Sequence, residues 1–298
     1  MKQVVTYGLV ATVAALGFAR LAYDQVEEAH LATAEPATVV AVLAPRALKF
    51  HLFELSSGDI VLDAILLDSL PADIHTTLDV KTRKAMFINT LLPIILKNNE
   101  AILTERARLT ALYDSDISDQ DRTWMTKLAK KYRVSNKSSE SISLIDRLLL
   151  HVDVIPPSLA MSQAVMESGW GTSRFARLGN ALFGQWVWGD AEGILPENRD
   201  DGATHRIKAF NTISGSVADY MRNLNSHPAY ASLRARRAEL RQHGLAITGE
   251  MLAPGLTEYS ARGEEYVTEI LSIISYNGLA ITDLARIARD GELGGDLK

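Results

Sequence analysis

The stretch MESGWGTSRFARLGNALFGQWVW, running from Met166 to Trp188, sets one carboxylate, Glu167, among glycines, small polar side chains and aromatic rings. Glutamate in such company can act as a proton donor. Counted from Leu159, Glu167 falls in the last turn of a helix that Gly169 stops, where the negative end of the helix dipole disfavours a carboxylate. Partial burial against Trp170, Phe183 and Trp186 would raise its pKa further. A carboxyl kept protonated near neutral pH is what general-acid catalysis requires. The bland alternative is a solvated glutamate at a helix end.

Helical spacing puts Ala160, Gln163, Ala164 and Glu167 on one face, with Leu159, Met161 and Val165 opposite. This small-residue strip is expected to leave room for a ligand, with Gln163 as a contact. Gly169 and Gly171 permit positive φ and close approach. Trp186 and Trp188 alternate in an extended segment, so both can face one side. Taken singly, Trp170, Trp186 and Trp188 also suit core or interface positions.

A second acidic group would come from GDAEGILPENRDDG, which offers Asp190, Glu192, Glu197, Asp200 and Asp201. Glu192 and Glu197 are preferred, Glu197 ahead because Pro196 can fix its backbone. Ser168 lacks the elbow and the His/Asp partners of a nucleophile, which leaves it a capping or hydrogen-bonding role. The basic run RARRAELR reads as a solvated helix face or as a surface for an anionic wall. Arg174 is a candidate partner for a carboxylate. His205 and His227 are read as surface or helix-end residues, and Tyr220, Tyr230, Tyr259 and Tyr266 as packing residues with rim hydroxyls.

The elements that must position these residues are mostly helical. Helices are expected over 81–109, with Pro93 kinking or interrupting it, over 118–131 behind Ser118 as N-cap, and up to His151. Pro157 opens the helix that carries Glu167, and a short helix follows over 172–182. The Gly-, Trp- and Asp-rich stretch 183–209 is read as a small β lobe. Helix returns after it, broken at Pro228, and a long amphipathic helix starts near Glu264. The expected division is residues 1–22 as signal peptide or membrane anchor, 23–59 as lead-in with one short strand, 60–285 as the body and 286–298 as a tail.

The chain has 298 residues, no cysteine and a net charge of −5. Disulfides and thiolate chemistry are therefore excluded, and a broad basic field for nucleic acid is lacking. The seven histidines form no metal-binding motif, and no cofactor is indicated. Lys2 precedes a charge-free run from Gln3 to Ala19. That run fits either a cleaved signal or a retained inner-membrane anchor, and both readings put the body in the periplasm or cell envelope.

ESGWG followed by SRFARLGNALFG resembles the glucosaminidase domain of peptidoglycan hydrolases, the glycoside hydrolase family 73 type. The Bax-like branch of that superfamily is the nearer resemblance, supported by RKAMFINTLLPIILKNNEAILTERARL, THRIKAF, SVADYMRNLNSHPAY and YSARGEEYVTEILSII in the same order. It covers roughly residues 60–280. The resemblance implies a mainly α, lysozyme-like glucosaminidase fold with a small β lobe. It also implies cleavage of the β-1,4 bond between N-acetylglucosamine and N-acetylmuramic acid in peptidoglycan glycan strands. Glu167 matches the family's catalytic acid. Asn180 and Phe183 match its Asn-Leu-Phe-Gly element, here with Ala181 inserted. Tyr259 matches the tyrosine opening the Tyr-Ala-Thr-Asp segment, whose Thr-Asp portion is replaced by Ala261 and Arg262. A lytic transglycosylase using Glu167 alone, and a wall-binding protein of the same fold without activity, remain as alternatives.

Overall fold

The computed structural model describes residues 60–62, 66–113, 115–135, 142–187, 193–195 and 206–288. The expected leader, the lead-in and the acidic-loop residues Asp190, Glu192, Glu197, Asp200 and Asp201 lie outside these, as do Trp188 and His205. Strand β1 is Ile60–Leu62, and helices α1 (Val80–Ala111), α2 (Asp119–Lys131) and α3 (Leu144–His151) follow. Next come α4 (Pro157–Ser168) and α5 (Arg174–Gly179), then the short strands β2 (Trp186–Val187), β3 (Gly193–Ile194) and β4 (Arg206–Lys208). Helices α6 (Ile213–Ser226), α7 (Ala231–Gln242), α8 (Gly249–Leu252) and α9 (Glu264–Tyr276) complete the helical body, and β5 (Ala285–Ile287) closes it. The fold is mainly α with a small β lobe, as the sequence indicated.

Local signals set most of the boundaries. Ser118, Ser143, Ser173 and Thr212 each accept a backbone N–H from the first turn of the helix they precede, which pairs donors that a helix start otherwise leaves open. Pro228 breaks α6 from α7 through a single 3₁₀ turn, Pro228–Tyr230. Pro93, in contrast, does not interrupt α1, which runs for 32 residues. An interior proline costs about 3 kcal/mol. Around it Leu91, Leu92, Ile94, Ile95 and Leu96 are all buried, each worth about 1.5–3 kcal/mol when fully enclosed. Packing therefore outweighs the missing hydrogen bond.

Helix α4 lies at the centre of the molecule, against α1, α8, α9 and the 3₁₀ turn Leu279–Leu284. Leu159, Met161 and Val165 are buried, but so are Ala160, Gln163 and Ala164. The small-residue strip is therefore no open groove: its alanines let neighbouring elements approach closely, and they fill the space. A helix enclosed on all sides has no polar face, which is why periodicity did not reveal its orientation. Its N-terminus has no cap of its own. Asp283 supplies one, accepting from Ser158 N at 2.8 Å, Ser158 Oγ at 2.7 Å and Gly249 N at 2.9 Å. The carboxylate at that helix start is also favoured by the dipole.

The basic run in α7 is not a plain solvated face. Arg234 and Arg237 are buried. Arg237 donates to the carbonyls of Asp153 and Val154 and to Asn225 Oδ1 at 2.7 Å. Arg241 clasps the buried Asp153 carboxylate with two bonds of 2.5 Å, and Arg106 lies 3.4 Å from it. Burial pushes the Asp153 pKa up, but the Arg241 hydrogen bonds and the charges of Arg237 and Arg106 outweigh it and hold the carboxyl below the ordinary range. This cluster ties α7 to α1 and to the segment that leads into α4.

Two sheets among the described residues finish the body. β1 pairs in parallel with β5, Ile60 opposite Ala285 and Leu62 opposite Ile287, so the expected boundary at 285 falls on the first residue of a strand that joins the two ends of the body. The β lobe has the order β2-β4-β3, antiparallel throughout.

Candidate active site

Glu167 stands in the last turn of α4. Gly169, Trp170 and Gly171 follow with φ of 58°, 58° and 77°, a run of left-handed residues that ends the helix and reverses the chain. Ser168 fixes this turn: its hydroxyl donates to Ala164 O at 2.6 Å and accepts from Gly171 N at 2.9 Å. A side chain at Gly171 would strike Leu70 Cδ1 at 2.7 Å and Phe87 Cδ2 at 3.1 Å. Ser168 thus has the hydrogen-bonding role expected of it, and the second glycine is required by packing as well as by φ.

The loop after α5 is brought over the carboxyl from the other side. Asn180 adopts φ 50° as the left-handed cap of α5 and donates from Nδ2 to Phe210 O at 3.1 Å. Phe183 stacks on Tyr220, with centroids 3.9 Å apart and planes 7° from parallel. Tyr259 donates to Phe183 O at 3.1 Å. These contacts place Gly184, at φ 60°, against Glu167: a Cβ there would lie 3.0 Å from Oε2. Glycine is needed at this position for its backbone and for the space it leaves the acid.

The other side of Glu167 is lined by tyrosines. Tyr266 Oη lies 3.4 Å from Oε1. Tyr259 stacks on Tyr266 at 5.3 Å, and Tyr230 lies 5.9 Å from Tyr259. Arg262 lies 6.0 Å from the centre of the Tyr266 ring and is held by two bonds to Glu269, of 2.5 and 2.6 Å. Glu167 keeps some contact with solvent, yet the packed surroundings dominate its titration. Burial raises its pKa from the ordinary 4.5 to about 7, against the opposing pull of the Tyr266 hydrogen bond and the Arg262 charge. A carboxyl that holds its proton near neutrality can donate that proton to a bound substrate.

Several expected contacts take other parts. Gln163 is fully buried, with both ends of its amide engaged by Tyr220 and Tyr266, so it supports the site from below and touches no substrate. Phe183 is enclosed and acts through its ring stack and its carbonyl. Trp170 turns toward α1, where it meets Phe87 edge-on at 5.7 Å and carries Lys84 Nζ 5.0 Å from its ring. Trp186 is half-buried in β2 opposite Ile207. Tyr259 is half-buried beside the acid. Arg174 donates to Leu195 O at 3.1 Å, linking α5 to the β lobe. His227 accepts from Ala229 N at 3.2 Å, a helix-end role. Tyr266 and Tyr220, expected as packing residues, also take part in the site through Gln163 and Glu167. The signal was Gln163: a polar side chain inside an apolar helix must find buried partners.

Comparison with known proteins bears on this arrangement. Residues 146–279 match the glucosaminidase family model, described as mannosyl-glycoprotein endo-beta-N-acetylglucosaminidase. Protein bax of Escherichia coli (strain K12) is 34% identical over 199 residues, covering 65% of this chain and 70% of that protein. The chain belongs to the glucosaminidase family, as a Bax-like member. The match spans α4, the Gly184 loop, the β lobe and Tyr266. Among solved structures, the catalytic domain of the autolysin Auto from Listeria monocytogenes aligns over 60% of this chain and 96% of its own length, at 18% identity and a TM-score of 0.31. As a member of the glucosaminidase family the chain is a glycosidase-type enzyme.

Proposed function

We propose that this protein hydrolyses peptidoglycan, cutting the β-1,4 bond between N-acetylglucosamine and N-acetylmuramic acid, with Glu167 as general acid. The carrying observation is the Glu167 carboxyl, raised to about 7 by burial, in a residue that keeps some exposure. Glycosidic bonds break when the leaving oxygen is protonated as positive charge grows on the sugar ring. Glu167 supplies that proton. Tyr259 and Trp186 line the approach as substrate contacts, and Asn180 and Phe183 hold the Gly184 loop in place. Glu197, or else Glu192, serves as the second acidic group. Peptidoglycan places the enzyme in the periplasm or envelope, with residues 1–22 as exported signal or inner-membrane anchor.

Digestion of isolated sacculi by the wild type and by Glu167→Gln tests this reading. The variant is nearly isosteric and is expected to lose about 10²–10⁴-fold in rate, with reducing-end N-acetylglucosamine as the wild-type product by mass spectrometry. Equal digestion by both proteins would remove Glu167 from the chemistry. An anhydromuramic product would reassign the enzyme as a lytic transglycosylase, and binding of sacculi without digestion by folded wild type would make it a wall-binding protein.

A further inference from the structure

Glu167 is the last member of a hydrogen-bonded chain that begins inside the core. Tyr220 Oη donates to Gln163 Oε1 at 2.6 Å, Gln163 Nε2 donates to Tyr266 Oη at 2.9 Å, and Tyr266 Oη lies 3.4 Å from Glu167 Oε1. Gln163 is completely enclosed, and Tyr220 and Tyr266 nearly so. Phe183 stacked on Tyr220 and Tyr259 stacked on Tyr266 fix the planes of both rings.

The chain has a direction. A tyrosine hydroxyl has one proton to give. Because Tyr266 already accepts from Gln163, its proton is free for Oε1. If the Gln163 amide were turned over, its oxygen would face Tyr266 and compete with Glu167 for that proton, while its NH₂ would face Tyr220. In the observed sense every donor points toward the carboxyl, so a proton carried by Oε1 would meet the Tyr266 proton head-on.

We infer that Tyr266 is a positioning residue for Glu167: its hydroxyl, oriented by Gln163 and Tyr220, occupies Oε1, so that the acid's own proton resides on Oε2, the oxygen beside Gly184. The inference rests on the hydrolase reading and adds which oxygen delivers the proton. The 3.4 Å contact is long for an O–H···O bond, and bonds of this kind commonly tighten once substrate is bound. The other groups that act on Glu167 are Arg262, neutralised in part by Glu269, and the hydroxyls of Tyr230 and Tyr259. None of the three is in hydrogen-bond contact with the carboxyl among the described contacts, so Tyr266 is the member whose removal should act most directly.

The test is a titration of the Glu167 carboxyl by ¹³C NMR on glutamate-labelled protein, with Glu167→Gln to assign the signal, alongside the pH dependence of sacculus digestion. In Tyr266→Phe the ionised form loses a donor, so the titration is expected to move up by about 0.5–1 unit. The alkaline limb of kcat should move with it, and kcat should fall about tenfold with KM little changed. Tyr220→Phe should give a smaller upward move of the same sign, and it carries the test if Tyr266→Phe does not fold. An unmoved or lowered titration in the folded variants would overturn the chain. Failure of the wider reading looks different: Glu167→Gln would then digest sacculi at the wild-type rate whatever the titrations show.

Discussion

Glu167→Gln should make the protein more stable in mild alkali and leave it unchanged in acid. The carboxyl titrates at about 7 in the folded chain against an ordinary 4.5 when unfolded. Below the lower value both states are protonated and the group contributes nothing. As pH rises from there, the unfolded state gives up its proton first, so stability falls until the folded carboxyl also ionises, near pH 7. A shift of this size corresponds to about 3 kcal/mol at its full extent. Glu167 keeps some solvent contact, and screening reduces the expected effect to about 1–2 kcal/mol. Glutamine removes the charge and its penalty, and its oxygen can still accept from Tyr266. Urea denaturation of both proteins at about pH 4.5 and about pH 8.5 reads the difference directly. A gain for the variant that is the same at both pH values would refute the raised carboxyl, and so would a variant less stable than wild type in alkali. The measurement needs no substrate, so it separates the electrostatics of Glu167 from its proposed use in catalysis.

Other perturbations test other parts of the structure. Asp153→Asn removes the partner of Arg241, Arg106 and the buried Arg237, and should cost about 3–5 kcal/mol in urea denaturation. Gly184→Ala puts a Cβ 3.0 Å from Glu167 Oε2 at φ 60°. It should cost about 1 kcal/mol of stability and about 10²-fold in sacculus digestion, because the acid is displaced; unchanged digestion would mean that the loop does not frame the site. Removal of residues 1–22 should move the protein from the membrane fraction to the soluble fraction on fractionation of expressing cells, as expected for a charge-free run near spanning length.

Much of the fold could be read from short-range signals. Ser118 before Asp119 and Asp121 marked a helix start because a cap and the dipole act within one turn. Pro157 and Gly169 bracketed α4 for equally local reasons. Pro93 misled because its cost is local while the compensation comes from side chains buried against other elements. The strip Ala160, Gln163, Ala164 and Glu167 was placed on one face correctly, but whether that face met solvent or other helices depended on elements distant in sequence. RARRAELR raised the same difficulty: Arg237 points inward because Asp153 and Asn225 await it from other segments, and Arg234 because the carbonyls of Leu224 and His227 do.

What the sequence determined by itself is the make-up of the candidate site: one carboxylate at a helix end, a glycine turn that only small or left-handed residues can make, and an aromatic loop beyond. These follow from residue type and from neighbours within a few positions. Only the tertiary structure decided that the acid is backed by Tyr266, Gln163 and Tyr220 and faced by Gly184. Tyr266 lies 99 residues from Glu167, and no local rule couples positions so far apart. The proton affinity of Glu167 arises from burial and from hydrogen bonds, and both come into being when α4, α6, α9 and the Gly184 loop close around it.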